Sequence, residues 1–86
     1  MSNIDSKNQE RTLQRELALV KVEAEGHMQD EALGVVGQWS GRLLELGSNH
    51  FTAELSGEPD KVSRFIAALV PYGLAASFRS GAVSLG

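Results

Sequence analysis

Two histidines and a short acidic run are the side chains of this chain best suited to chemistry. His27 and His50 carry imidazoles, which titrate near neutral pH and bind metals. The acidic residues of the run are Glu23, Glu25, Asp30 and Glu31. A metal site usually needs three protein ligands, and the sequence indicates no such set. Paired carboxylates act as acid and base only in an enclosed pocket, and the sequence indicates no such pocket. We therefore predict loop histidines, a solvated acidic segment, no catalytic residue, no metal and no cofactor.

The composition restricts the function further. The 86 residues fit one domain and carry a net charge of -3, so no basic surface is available for nucleic acid or for an anionic membrane. The absence of cysteine excludes disulfides and thiolate metal sites and fits a reducing cytoplasm. No apolar run approaches the roughly 18 residues that span a bilayer, and the N-terminus lacks an apolar signal core. We expect a cytoplasmic protein that binds neither nucleic acid nor membrane.

Hydrophobic periodicity predicts six elements after a polar tail or linker at residues 1–14. They are strands at 16–25, 42–46, 50–56 and 74–79, with helices at 29–39 and from Pro59 to about Pro71. Pro59 suits a first helical position because its missing N–H has no partner there. Val62, Phe65, Ile66 and Leu69 form the apolar stripe of the second helix. Residues 82–85 are expected to extend the last strand.

The order β-α-β-β-α-β predicts an α+β sandwich in which two helices cover one face of a four-stranded antiparallel sheet. The side chains expected to point to the core include Leu44 and Leu46 of the second strand and Leu74, Ala76 and Phe78 of the last. Trp39, on the first helix stripe, is expected to pack in the core.

The opposite sheet face is expected to be half apolar, and part of it, or an edge strand, is expected to be covered by another chain. Its predicted interface residues are Leu17, Leu19, Lys21, Glu54 and Arg79, with Ser77 beside them. Lys21 and Arg79 are expected to flank one another, with Glu54 bridging them, and such exposed pairs contribute only about 0–1 kcal/mol.

An ordered set of motifs resembles the C-terminal domain of the acetolactate synthase small (regulatory) subunit. The set covers about residues 15–86 and consists of RELALVKV at 15–22, Gly57 with Lys61 and Val62, Pro71-Tyr72-Gly73, and Arg79-Ser80-Gly81 with Val83 and Leu85. One departure is the first helix, QDEALGVVGQW, which is acidic and apolar where the family tends to be basic. Members of the family normally begin with an ACT domain, so we expect a fragment or a short stand-alone form.

The resemblance implies a ferredoxin-like (ACT-like) fold and a non-catalytic regulatory role. In this family the large subunit carries thiamine diphosphate, magnesium and the chemistry of branched-chain amino-acid synthesis. The small subunit activates it and confers feedback inhibition, commonly by valine. The implied partners are the catalytic (large) subunit and a second copy in a homodimer.

By analogy with ACT-like domains, the loop Gly26-His27-Met28 is a candidate ligand site, because backbone N–H groups at a helix start can bind a carboxylate. An ordinary strand-to-helix turn is the competing interpretation. Two other functions stay open beside regulation: a stand-alone amino-acid sensor, and a small enzyme on the same fold, for which no nucleophile–base set is recognisable.

Overall fold

The strands and helices follow the predicted order, with one short strand added at the end. The computed structural model describes residues 13–85, so most of the tail predicted at 1–14 lies outside the described part. The elements are β1 (Leu13–Val22), α1 (Gly26–Gln38), β2 (Arg42–Leu46), β3 (Phe51–Gly57), α2 (Pro59–Leu69), a 3₁₀ turn (Val70–Tyr72), β4 (Leu74–Arg79) and β5 (Val83–Leu85). β1 and α1 each begin three residues before their predicted starts.

The sheet has the order β2-β3-β1-β4, and every pair is antiparallel. β5 pairs with the start of β1, beyond the end of β4. The predicted ferredoxin-like βαββαβ sandwich, with β1 and β3 in the centre, is confirmed. No helix of the described residues is long and apolar enough to cross a membrane.

The core lies between the two helices and one face of the sheet, here called the helix-side face. Alternate residues of the two central strands point into it, as the period of two requires. The buried apolar residues are Ala18, Val20, Val22, Phe51, Ala53 and Leu55 of the sheet, with Ala32, Val36, Val62, Phe65 and Leu69 of the helices. Trp39 is partly buried and packs against this core, as predicted.

The end of α2 is fixed by a close approach between two backbone segments. Pro71 lies in the 3₁₀ turn, and Gly73 follows in the left-handed region at φ 99°. A Cβ at Gly73 would collide with the carbonyl oxygen of Glu23. The Glu23 N–H donates to the Gly73 carbonyl at 2.8 Å, so this glycine ties the start of β4 to the end of β1.

A one-residue bulge in β4 overturns the predicted orientation of Phe78. Val22 pairs with Leu74, but the next residue of β1, Lys21, pairs with Ala76, so Ala75 is the extra residue. An extra residue reverses the alternation of every side chain that follows it. Leu74 therefore packs on the core as predicted, whereas Ala76 and Phe78 lie on the opposite face.

The prediction for β2 holds for the direction of Leu46, which pairs with the buried Phe51, but not for its burial, because this strand forms the edge of the sheet. Every residue of β2 is exposed, including Leu44 and Leu46. A second bulge lies between Leu43 and Glu45, where Leu44 is the extra residue. Neither Leu44 nor Leu46 is enclosed by the core, since no described element lies beyond this edge.

Candidate interaction surface

The sheet face turned away from the helices, here called the outer face, carries exposed apolar side chains in its middle. The exposed Leu17 and the half-buried Leu19 of β1 point there, as predicted. Phe78 pairs directly with Leu19, and its side chain is 57% exposed. Val83 of β5 pairs with Arg15 and is exposed beside them. Contiguous exposed apolar groups of this kind make this surface a candidate for contact with a partner.

Charged residues border the apolar centre, and two of them were predicted. Lys21 is exposed opposite Thr52, and Glu54 is opposite Leu19. The nearest cation to Glu54 is Arg42, whose Nη1 lies 3.8 Å from Oε2. The predicted bridge from Lys21 through Glu54 to Arg79 is therefore absent from the ion pairs of the described residues.

Arg79 does not belong to the outer face, which corrects the prediction. It pairs with Ala18 and projects to the helix side, because the bulge at Ala75 reverses the end of β4. Its Nη1 donates to Ser63 Oγ at 2.9 Å, and its Nη2 donates to the Pro59 carbonyl at 3.1 Å. Ser77 also lies on the helix side, opposite Val20. Phe78 lies on the outer face, where Ser77 and Arg79 were predicted.

The strongest polar contact joins Arg79 to Glu16, a carboxylate that is only 6% exposed. Nη2 of Arg79 donates to Glu16 Oε1 at 2.6 Å, and Nε donates to the same oxygen at 3.2 Å. The Gly81 N–H donates to the other oxygen, Oε2, at 3.1 Å. A buried carboxylate needs such partners, because an unpaired charge away from water is costly.

Ser80 completes this contact between the two ends of the chain. Its N–H donates to the Leu17 carbonyl at 2.9 Å, and its Oγ accepts from the Leu17 N–H at 3.0 Å. The same hydroxyl donates to the Gly81 carbonyl. We call the set Glu16, Leu17, Arg79, Ser80 and Gly81 the clasp. It joins the first and last motifs of the sequence and holds Leu17 and Phe78 in place on the outer face.

The charges of the clasp shift each other's titration. The hydrogen bond from Arg79 lowers the pKa of Glu16, and the positive charge of Arg79 and the Gly81 N–H act in the same direction, against an opposing effect of burial. The hydrogen bond to Glu16 raises the pKa of Arg79. Both groups are therefore charged over the physiological range.

The sequence analysis missed the pairing of Glu16 with Arg79, although both residues lie in the quoted motifs. Glu16 stands on the buried side of a central strand, since it precedes Ala18 by two residues. An acidic residue at an apolar position of the alternation requires a cationic partner. The position of Glu16 therefore indicated a need for a cationic partner. It did not indicate that the partner is Arg79, which lies 63 residues away in the chain.

The loop predicted as a ligand site opens α1 but encloses no cavity of its own. Gly26 adopts φ 58°, His27 and Met28 are exposed, and His27 Nε2 lies 2.6 Å from Glu31 Oε2. A solvent-exposed cleft of about 460 Å³ lies beside the loop. Its lining residues are Lys21, Glu23, Ala24, Glu25, Asn49 and His50.

His50 lies in the turn between β2 and β3 and lines the cleft beside the loop that carries His27, but the two histidines have different acidic neighbours. Its Nδ1 lies 3.3 Å from Asn49 Oδ1, and its Nε2 lies 3.9 Å from Glu45 Oε1. Among the described residues, no group of three or more histidine, cysteine or acidic side chains could hold a metal ion.

A small α+β sandwich with an exposed, half-apolar sheet face defines a class of protein: an interaction or sensing domain. Comparison with known proteins names the family. Residues 15–86 match the family described as small subunit of acetolactate synthase. The chain belongs to this family and corresponds to the C-terminal domain of its members.

Curated proteins similar to this chain are also acetolactate synthase small subunits. The chain is 28% identical over 82 residues to the acetolactate synthase small subunit of Mycolicibacterium smegmatis, covering 95% of this chain and 48% of that protein. It is 31% identical over 74 residues to the small subunit of Aquifex aeolicus, covering 85% and 38%. The chain thus spans half or less of the length of these relatives.

Solved structures give the same result. The acetolactate synthase small subunit of Thermotoga maritima superposes with a TM-score of 0.79 at 26% identity, over 88% of this chain and 47% of that one. The ACT domain of a GTP pyrophosphokinase from Chlorobium tepidum superposes with a TM-score of 0.52 at 16% identity, over 80% of this chain and 99% of that one. The second likeness shows the ACT-like fold alone.

Proposed function

We propose that this chain is a non-catalytic regulatory domain that binds the catalytic subunit of an acetolactate synthase. Through that contact it takes part in feedback control of branched-chain amino-acid synthesis. The feedback inhibitor in this family is commonly valine. The thiamine diphosphate chemistry belongs to the partner, and this chain binds no cofactor. Membership of the small-subunit family supports the proposal, and so does the exposed apolar surface of the described residues. A cytoplasmic location and a homodimer complete the proposal.

The observation that carries the proposal is the apolar centre of the outer face. Phe78, Leu19 and Leu17 lie side by side on β4 and β1, and both helices pack on the other side of the sheet. A few residues near the centre of a contact surface, often aromatic, carry most of its binding energy. Lys21 and Glu54 at its border supply the specificity.

The direct test measures binding to the catalytic subunit from the same organism, together with its turnover. The variant is Phe78→Asp, and the matched control is Val70→Asp, since Val70 is equally exposed but lies in the 3₁₀ turn. We expect wild type and the control to bind, and Phe78→Asp to bind at least tenfold more weakly. Absence of wild-type binding, with no change in rate or in valine response when an ACT domain is joined to the chain, contradicts the proposal.

A second candidate function is an amino-acid sensor, which the cleft beside Gly26, His27 and Met28 favours. Lys21 and the carboxylates of Glu23 and Glu25 line it, so both ends of a zwitterion would find an opposite charge. Titration calorimetry with valine, leucine and isoleucine decides between the two functions. Heat of binding at millimolar ligand supports the sensor, and its absence leaves regulation by protein contact.

A further inference from the structure

The apolar centre of the outer face is a narrow band that runs along β1. Leu17 and Leu19 lie on this strand, and Phe78 of β4 lies beside them. On the β3 side the face turns polar, because Ser56 pairs with Leu17 and Glu54 pairs with Leu19. Neighbouring strands lie about 4.8 Å apart, so a band of two strands is about 10 Å wide. That width matches one α-helix, which is about 10–12 Å in diameter, and is too narrow for a second sheet.

A cation lies at each end of this band, on the same strand. Arg15 and Lys21 are exposed and alternate in phase with Leu17 and Leu19, so all four side chains belong to the outer face. Neither cation forms an ion pair with another described residue. At about 3.3 Å per residue, Arg15 and Lys21 lie about 20 Å apart, which is the length of about 13 residues of α-helix. The band therefore has the length of a short helix and is positively charged at both ends.

The acidic Glu54 beside the band does not neutralise these two cations. It lies opposite Leu19, in the middle of the band, and forms its ion pair with Arg42 at 3.8 Å. The whole chain has a net charge of -3, so the positive charge of the band is a local feature and does not reflect a basic composition. A helix that lies on the band is attracted if its ends are acidic and repelled if they are basic.

Other occupants fit the band less well. In a two-fold antiparallel contact between two outer faces, Arg15 of one copy lies over Lys21 of the other, which brings like charges together. Residues 1–12 contain only Met1 and Ile4 as large apolar residues, so they supply no apolar stripe. An anionic membrane is disfavoured by the net charge of -3.

We infer that the outer face binds one amphipathic helix of the catalytic subunit, with an acidic residue near each end of the helix. The apolar stripe of that helix lies along Leu17, Leu19 and Phe78, and its acidic ends pair with Arg15 and Lys21. The inference rests on the proposed function, since it names the part of the partner that the outer face takes. The contact is small beside the roughly 1,200–2,000 Å² of a standard interface. The helix alone is therefore expected to bind with a dissociation constant on the order of 100 µM.

Two synthetic peptides test the chemistry of the band without the catalytic subunit. Both have about 18 residues, long enough to form an isolated helix, and both carry one leucine stripe on an alanine-rich helix. One peptide has glutamates at the two ends of the stripe, and the other has lysines at the same positions. NMR titration of the full chain measures binding and locates it. We expect the glutamate peptide to bind about tenfold more tightly and to shift the amide signals of Leu17, Leu19 and Phe78.

Charge reversal identifies the two cations. The double variant R15E/K21E should invert the preference, so that the lysine peptide binds more tightly. Arg15→Lys and Lys21→Arg keep the charges and should keep the preference for glutamate. Arg64→Glu is the matched control, because it reverses an exposed cation on α2 and should change nothing. Circular dichroism melting shows that each variant is folded.

The outcomes are distinct. Preference for the glutamate peptide, its inversion in the double variant and no effect of Arg64→Glu support the inference. Equal binding of the two peptides, no binding at about 1 mM peptide, or amide shifts confined to β2 or the helices overturns it. Binding to vesicles of phosphatidylcholine and phosphatidylserine without binding to the glutamate peptide also overturns it, because the face then takes a membrane.

Binding to the catalytic subunit from the same organism is measured in parallel. Arg15→Glu should weaken it about fivefold, whereas Arg64→Glu should not. Arg15 is not among the residues that line the cleft, so its effect reports on the band alone. If the wild-type chain and Arg15→Glu bind equally well, the inference fails and the proposed function stands. If the wild-type chain does not bind the catalytic subunit, the proposed function fails, and the peptide titration still decides whether the outer face takes an acidic helix.

Discussion

Glu16 and Arg79 form an ion pair that joins the first and the last long strands of this domain. Arg79 donates two hydrogen bonds to one oxygen of the buried Glu16 carboxylate, at 2.6 and 3.2 Å. The same guanidinium reaches Ser63 and the Pro59 carbonyl at the start of α2. One side chain thereby fixes β1, β4 and α2 relative to one another.

The clasp should make the stability of the domain depend on pH in the acid range. The folded pKa of Glu16 lies below its ordinary value of 4.5, so the folded state binds fewer protons than the unfolded state in this window. The stabilisation is complete above the unfolded pKa and is lost as the pH falls through the folded pKa. We expect the melting temperature of wild type to fall below pH 4.5 and that of Glu16→Gln to fall less steeply. Parallel profiles for the two proteins contradict this.

Phe78 and Phe65 should differ sharply in their effect on stability. Phe65 is fully buried, and Phe65→Ala is expected to cost about 3–5 kcal/mol. Phe78 is exposed on the outer face, so Phe78→Ser should cost less than about 1 kcal/mol. Urea unfolding of the isolated chain at low concentration measures both. A large loss in Phe78→Ser would mean that this side chain lies in the core.

Deletion of Ala75 should preserve the pairing of the rest of β4. Without this residue, Leu74 still pairs with Val22 and Ala76 with Lys21, but as successive residues with no bulge between them. Phe78 then stays opposite Leu19. We expect a folded protein with an NMR contact between the Phe78 ring and the Leu19 methyl groups. A contact from Phe78 to core residues instead would show that the register had shifted.

Two glycines should respond in opposite ways to alanine. Gly34 lies inside α1 with nothing near a new Cβ, so Gly34→Ala should stabilise the domain by about 0.5–1 kcal/mol. Gly73 has a positive φ, and its new Cβ would meet the backbone oxygen of Glu23, so Gly73→Ala should destabilise it. Thermal melts of the two variants check the signs. Equal effects would contradict the placement of Gly73.

The sequence predicted the parts of the fold that depend on local patterns. Alternation in β1 and β3 placed their apolar residues in the core, and the spacing of Val62, Phe65 and Leu69 gave the buried face of α2. Leu17 and Leu19 were placed correctly on the outer face for the same reason. The motifs also indicated the family, which the comparisons confirmed.

The orientation of Phe78 and Arg79 was decided by the tertiary structure. Their prediction assumed regular alternation along β4, and the extra residue Ala75 reverses it. A bulge of one residue leaves no mark in hydrophobic periodicity when the strand is rich in alanine and serine. The bulge puts Arg79 on the same side of the sheet as Glu16, its partner 63 residues away, and local periodicity carries no information on that contact.

The sequence by itself thus determined the order of the elements, the family and the core residues of β1, β3 and the helices, because helices and strands of period 3.6 and two show their buried faces locally. Only the tertiary structure decided that Phe78, and not Arg79, lies on the outer face and that β2 forms an exposed edge. Those features depend on contacts between distant segments, and a register change of one residue exchanges the two faces of a strand.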